Sequence, residues 1–311
     1  MGMFEMIESP VIKPLVGDNP FLGISHLSQS RIRARENDLT NAKYDAEIVK
    51  AAVENGAQGF MFSSSETSLS IIRVLGQERI SDKISFYAIV PYAYEYVRAS
   101  TQIGMQGVAK RVMTEIIKSR NLKAASFGML GLLRLDPKSF LKAYLSYEIS
   151  KIRSAIGQRA KLNSVLLHET LTDMGLALNL DWLFLIFTEF TKGLGVTPGF
   201  VTYDLPYLVD RFEKWGIDFG EIGITAAFNA VGFQMSPSRD ECERALKQIS
   251  ESEVTAMSIF AGGYIKPAEA IKYISELPNL RNVVAGVSKQ GQAQETFTLI
   301  SERLCKKTTS K

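Results

Sequence analysis

The stretch NSVLLHET, residues 163–170, is an apolar run that ends on one of only two histidines in the chain, with a glutamate directly after it. Its apolar residues are continuous rather than alternating, as expected of a strand buried on both faces in a parallel sheet covered by helices. Seven further runs share that character: PLVGDNPF (14–21), QGFMFSS (58–64), ISFYAIVP (84–91), PGFVTYD (198–204), EIGITAAFN (221–229), VTAMSIFAGG (254–263) and RNVVAGVSK (281–289). Between them lie segments of helical periodicity, such as DAEIVKAAVEN (45–55), which stops at Gly56, and SRDECERALKQIS (238–250), which opens on a serine suited to capping. Eight strands alternating with helices predict an α/β chain closed as a single (β/α)8 TIM barrel over residues 1–311.

Residues 92–162 are too long for one connection and predict a helical insertion after the third strand. GVAKRVMTEIIKSR (107–120) and DPKSFLKAYLSYEISKIRSAI (136–156) carry apolar residues at three- and four-residue spacing, while LKAASFGML (122–130) is the candidate for a ninth strand. The aromatic-rich YAYEYVRASTQIGMQG (92–107) reads first as packing, with a lid or a dimer surface as alternatives, so a homo-oligomer is left open.

Composition narrows the class of function. A chain of 311 residues that is 46% apolar can bury a large core. Its 36 basic and 33 acidic residues are interspersed, so no electrostatic argument favours nucleic acid or a membrane surface as partner. The two cysteines, Cys242 and Cys305, lack partners at metal-ligand spacing and point to a reducing, cytoplasmic setting. Neither the first residues, MGMFEMIESPVIKP, nor the longest apolar run, LDWLFLIF (180–187, broken by Asp181), reads as a signal peptide or a membrane span. A soluble protein acting on a small molecule is the expectation.

In such a barrel the C-terminal strand ends and the loops after them form the active site. The first strand supplies Asp18, Asn19 and, across its loop, His26; the second Ser63, Ser64, Ser65 and Glu66; the fourth His168 and Glu169. Tyr203 and Asp204 follow the fifth, Asn229 the sixth, and Gly286, Ser288 and Lys289 the eighth. Neighbouring residues of a strand face opposite ways, so of His168 and Glu169 the histidine is taken to face the barrel axis. The alternatives are plain ones: a buried histidine with its hydrogen bonds satisfied, a turn at Asp18 and Asn19, and helix caps at Ser65 and Asp204. Gly286, Ser288 and Lys289 run into QGQAQETF, a helix start, so backbone N–H groups and one cation converge where a phosphate dianion would sit.

Residues 258–300, from SIFAGGYIKPAEAI to the strand closing on Gly-Val-Ser-Lys, resemble the end of an aldo-keto reductase barrel, and His168 in VLLHE resembles the histidine ending that family's fourth strand. The resemblance implies NADP as cofactor. Ser288 and Lys289 would hold its adenosine phosphate, with Gly262 and Gly263, in the turn Phe260, Ala261, Gly262, Gly263, near the pyrophosphate. The family's aspartate and proton-donating tyrosine after the second strand have no match in GFMFSSSETS, nor its third-strand lysine in ISFYAIVP. Three readings follow. The first is an oxidoreductase with an altered catalytic set, its proton coming from His168 or Glu66. The second is a redox-free lyase or isomerase in which His168 works with Asp18 or Glu66; in a metal-assisted variant His26, His168 and Asp18 or Glu169 would be ligands, although no spacing supports such a cluster. The third is a barrel that binds a ligand or partner without catalysis. Asn19, His26, Ser64, Tyr203, Asp204 and Asn229 are the candidate substrate contacts.

Overall fold

The computed structural model describes residues 11–23, 41–92, 101–104, 107, 110–111, 114–115, 126 and 136–305. Eight parallel strands close into a barrel in sequence order: β1 (Lys13–Gly17), β2 (Gly59–Ser63), β3 (Ser85–Val90), β4 (Lys161–Leu167), β5 (Thr197–Thr202), β6 (Gly223–Ala227), β7 (Glu253–Met257) and β8 (Leu280–Gly286). The seam is a full parallel ladder, with Pro14 beside Val283 and Val16 beside Ala285. The expected TIM barrel is therefore the fold. Of the 92–162 region, α3 (Pro137–Ile156) is described and follows the periodicity read for 136–156. LKAASFGML lies outside the described residues except for residue 126, and the eight strands close without it.

Local chemistry sets the helix starts. Asn41 caps α1 (Ala42–Glu54), Ser65 caps α2 (Glu66–Gln77), Asp136 caps α3, and Asp204 caps α6 (Leu205–Trp215), each side chain accepting a backbone N–H of the first turn. The helix α6 stops at Gly216, whose φ of 69° is the left-handed conformation that ends helices at low cost. The fourth unit carries two helices, α4 (Glu169–Ala177) and α5 (Asp181–Gly193); α7 (Arg239–Gln248), α8 (Pro267–Ser275) and α9 (Gln290–Leu304) complete the outer ring.

Two apolar layers hold the barrel. Between strands and helices lies a continuous core in which Phe184, Phe200 and Phe212 meet edge-on or tilted, with ring centroids 4.9–5.6 Å apart. A second, separate cluster of Leu15, Met61, Tyr87, Leu166 and Val201 fills the interior, contributed by alternate residues of β1 to β5. Tyr87 on β3 crosses the whole interior to donate to Glu253 Oε1 on β7, the strand diametrically opposite, at 3.3 Å. Burial first, and the facing carboxylate second, push the Tyr87 phenol above its ordinary value, so it keeps its proton and remains the donor.

A ring that large fits because β2 begins with glycine. A Cβ on Gly59 would stand 2.6 Å from Leu15 Cδ2, 2.8 Å from the Ser85 carbonyl oxygen and 3.1 Å from Tyr87 Cε2. Gly59→Ala should therefore lower unfolding stability by about 1–3 kcal/mol, the usual cost of overpacking. A denaturant midpoint unmoved at constant m-value would show that the interior has slack these contacts do not reveal.

Candidate active site

Because every strand is parallel, all eight C-terminal ends open onto one face. His168 is the first residue past β4 and the N-cap of α4. Glu169 already begins the helix, so the strand alternation expected for this pair does not govern it. His168 is 4% exposed, and its Nδ1 accepts the Thr170 N–H at 3.2 Å. An amide can only donate, so Nδ1 carries no proton in that contact and the neutral ring presents Nε2–H as its donor. Burial pushes the His168 pKa down to about 4. Glu169 Oε2 lies 3.4 Å from the same Nδ1, but burial keeps the ring neutral, so the contact is no ion pair.

Asp18 follows β1 and is 3% exposed. Its Oδ2 accepts the Ser63 N–H at 2.7 Å and the Ser68 hydroxyl at 2.8 Å, while Ser65 Oγ donates to Ser68 Oγ at 2.9 Å and accepts the Ser68 N–H. The sequence reading of Ser65 as a cap and the reading of Asp18 as a site residue thus meet in one hydroxyl chain ending on a carboxyl. Desolvation outweighs those hydrogen bonds and raises the Asp18 pKa to about 7.

The other candidates divide. Ser64 is buried at the end of β2, its N–H on the Ile89 carbonyl. Glu66 points away from this buried set, exposed in the first turn of α2 and paired with Arg73 at 2.5 Å. Asn19 is an exposed turn residue whose carbonyl accepts the Leu22 N–H, and His26 lies outside the described residues. Asn229 is fully buried and staples its own loop, with both amide hydrogens on the Phe233 and Ser258 carbonyls and its oxygen on the Phe233 N–H. Asp204 serves α6 as its cap. Tyr203 reaches Glu169 Oε1 at 3.5 Å, next to His168. Among the described residues no three His, Cys, Asp or Glu side chains gather as metal ligands.

At the far side of the face, Gly262 and Gly263 hold φ of 69° and 99°, giving a tight turn after β7. Gly286 ends β8 against Pro20, whose Cγ would be 3.0 Å from an added Cβ. Lys289 stands at the N-cap of α9 with no side-chain cap and no ion pair among the described residues; the Ser288 N–H is taken by Gln292 Oε1 at 2.9 Å. One residue escaped the sequence reading. Asp173 of α4 binds Thr202 Oγ1 at 2.6 Å and the Tyr203 N–H at 3.2 Å, and with Tyr203, Asp204 and Tyr207 it lines a cavity of about 320 Å³. Its signal was the four-residue spacing from Glu169, which places both carboxylates on one helix face.

The two buried groups make opposite contributions to stability. His168 binds fewer protons folded than unfolded, so stability falls as pH drops from about 6.5 to about 4. Asp18 binds more protons folded, so its contribution is complete below about 3.8 and is lost as pH rises to about 7. Across pH 4–6.5 the slopes oppose one another, and Asp18→Asn removes one of them. The stability of the variant relative to the wild-type chain should then climb by up to about 1.4 kcal/mol per pH unit in that window. Parallel pH curves would place the Asp18 pKa near the ordinary carboxylate value.

No family model matches this sequence, and no curated protein does. Solved structures do match in three dimensions. A putative aldo-keto reductase from Pseudomonas aeruginosa superimposes with a TM-score of 0.58 at 9% identity, over 94% of this chain and 92% of that one. A putative 2,5-diketo-D-gluconic acid reductase B gives 0.55 at 8% identity over 96% and 88%, and the glycerol dehydrogenase of Gluconobacter oxydans 0.53 at 9% over 95% and 88%. At such identities the likeness is one of architecture: the chain shares the (β/α)8 barrel fold of those structures.

Proposed function

We propose that the chain is a nicotinamide-dependent oxidoreductase of small carbonyl compounds, with NADP as the cofactor and a proton-handling set unlike that of the reductases it resembles. The observation that carries this reading is the single tautomer of His168. A buried, neutral imidazole at the end of β4 with Nε2–H as its donor can hydrogen-bond a carbonyl oxygen and draw electron density from the carbon. Deprotonating a neutral imidazole is too costly to supply the proton itself, and the exposed Glu66 is ion-paired with Arg73. Asp18, with a pKa of about 7, is the strand-end acid protonated in a useful fraction at neutral pH, and the Ser65 and Ser68 hydroxyls orient its Oδ2.

The residues after β7 and β8 suit the cofactor. The α9 N-terminus has no side-chain cap, Lys289 is exposed without an ion-pair partner among the described residues, and the Gly262-Gly263 turn lets backbone approach a pyrophosphate closely. When bound, the cofactor supplies the hydride. Gln292 must release the Ser288 N–H for a phosphate oxygen to take its place. The near-neutral Asp18 also favours a second reading, a redox-free proton transfer beside a carbonyl, with the same turns holding a substrate phosphate.

Fluorescence titration with NADPH and NADH separates the readings. Micromolar binding of NADPH is expected, and Lys289→Ala should weaken it about tenfold or more while affecting NADH less, since one charge-assisted contact to the 2′-phosphate is lost. A chain that ignores both cofactors and is thermally stabilised by sugar phosphates belongs to the second reading.

His168→Asn keeps a good capping acceptor for Thr170 but withdraws the Nε2–H donor. Reductase kcat/KM should fall 10²- to 10⁴-fold with little change in melting temperature. A loss of activity that only tracks a loss of folded protein would return His168 to the structural residues. If Asp18 is the acid, kcat/KM for reduction falls as pH rises through about 7, and a flat profile across that value removes Asp18 from the mechanism.

A further inference from the structure

Six non-glycine residues among the described ones hold a positive φ. Arg79 and Asn179 stand one place beyond the caps of α2 and α4, where left-handed backbone is an ordinary way to end a helix, and Asn279 directly precedes β8. The other three gather in the loops after β6 and β7: Gln234 at 59°, Ser258 at 53° and Ala261 at 46°. Such backbone is uncommon for a residue with a Cβ and persists only where its surroundings over-determine it.

Here each loop determines the other. Ser258 Oγ donates to Gln234 Oε1 at 2.6 Å, and a flipped amide would keep the bond by donating in return. The Ser258 carbonyl accepts the Ala261 N–H at 2.8 Å and Asn229 Nδ2 at 3.3 Å, and that same Nδ2 donates to the Phe233 carbonyl at 2.8 Å. Ala230 and Phe233 of the β6 loop pack against Ala261, Ile265 and Ala270 after β7. Directly beyond Ala261 the chain turns on Gly262 and Gly263. Two successive glycines have the widest conformational freedom a chain can have, so a single shape has to be imposed on them by their neighbours.

We propose that Gln234 is a positioning residue for the Gly262-Gly263 turn: through Ser258 it clasps the β7 loop to the β6 loop and holds the turn in the shape that receives a ligand pyrophosphate. The inference rests on the reading of that turn as part of the cofactor site. Gln234 touches no ligand in this role; the turn it holds is ordered before binding, so the ligand does not bear the cost of ordering it.

Gln234→Met keeps the length of the side chain and removes the bond to Ser258, and Ser258→Ala removes the same bond from the other side. Each variant should exchange the backbone amides of residues 259–264 with solvent deuterium faster than the wild-type chain, at a melting temperature close to it. Each should also bind NADPH about three- to tenfold more weakly, the worth of one neutral hydrogen bond. NADH should weaken by the same factor, because the pyrophosphate is common to both cofactors, and the double variant should be no weaker than either single one. Unchanged exchange across the turn, or unchanged affinity for both cofactors in a folded variant of a chain that binds them, overturns the proposal and leaves the cofactor reading standing. Losses that add in the double variant overturn it as well, since the two residues would then act separately. A wild-type chain that binds neither NADPH nor NADH overturns the cofactor reading and this inference together. If one variant does not fold, the other decides.

Discussion

Closure of the sheet between β1 and β8 is the constraint on which the rest depends. Once Pro14 pairs beside Val283, no strand edge remains, and the strands, parallel in every pairing, must tilt and stagger around a common axis. Parallel strands in a ring put all their C-terminal ends on one face. Asp18, His168, Tyr203 and Lys289, separated by as many as 271 positions in the chain, share one face of the barrel only for that reason. Closure also fixes the interior volume. Gly59 leaves room for Leu15 and Tyr87, and Gly199 for Leu166, so the interior side chains fit without collision.

The same enclosure shapes the electrostatics of the mouth. Asp18 and His168 are each nearly sealed from water, and loss of hydration is the leading cause of both pKa shifts. Burial disfavours the charged form of either group, raising the acid to about 7 and lowering the base to about 4, so near pH 7 the imidazole is neutral and the carboxyl is protonated in part. A neutral hydrogen-bond donor and a protonatable acid are what reduction of a carbonyl needs, and neither requires the lysine or tyrosine absent from β2 and β3. Asp18 reaches its place from β1, held by groups of β2 and α2, so a carboxyl stands near the second strand without being encoded in it.

Much of the fold was legible because its signals are local. The continuous apolar runs mark all eight strands, as both faces of a parallel strand are buried, and Ser65 and Asp204 announce helix starts by chemistry that acts within three residues. The candidate site was legible as a set of strand ends and no further. Asn229 and Glu66 had the right positions, yet one is consumed by its own loop and the other turned to solvent and Arg73. Asp173 was missed because a helix interior carries no strand-end signal, and its partners, Thr202 and Tyr203, are nearly thirty residues away.

By itself, the sequence determined the eight strands, their order, and hence a barrel with His168 and the Ser288-Lys289 turn at the C-terminal ends of its strands. Hydrophobic periodicity and capping suffice for that, being properties of neighbouring residues. Only the tertiary structure decided which nitrogen of His168 bears the proton, that Asp18 is buried beside Ser63 and Ser68, and that Tyr87 spans the interior to Glu253. Those depend on burial and on pairings across dozens to hundreds of residues, where the dielectric surroundings of a group, and so its charge, are set by chain segments that its own sequence context does not contain.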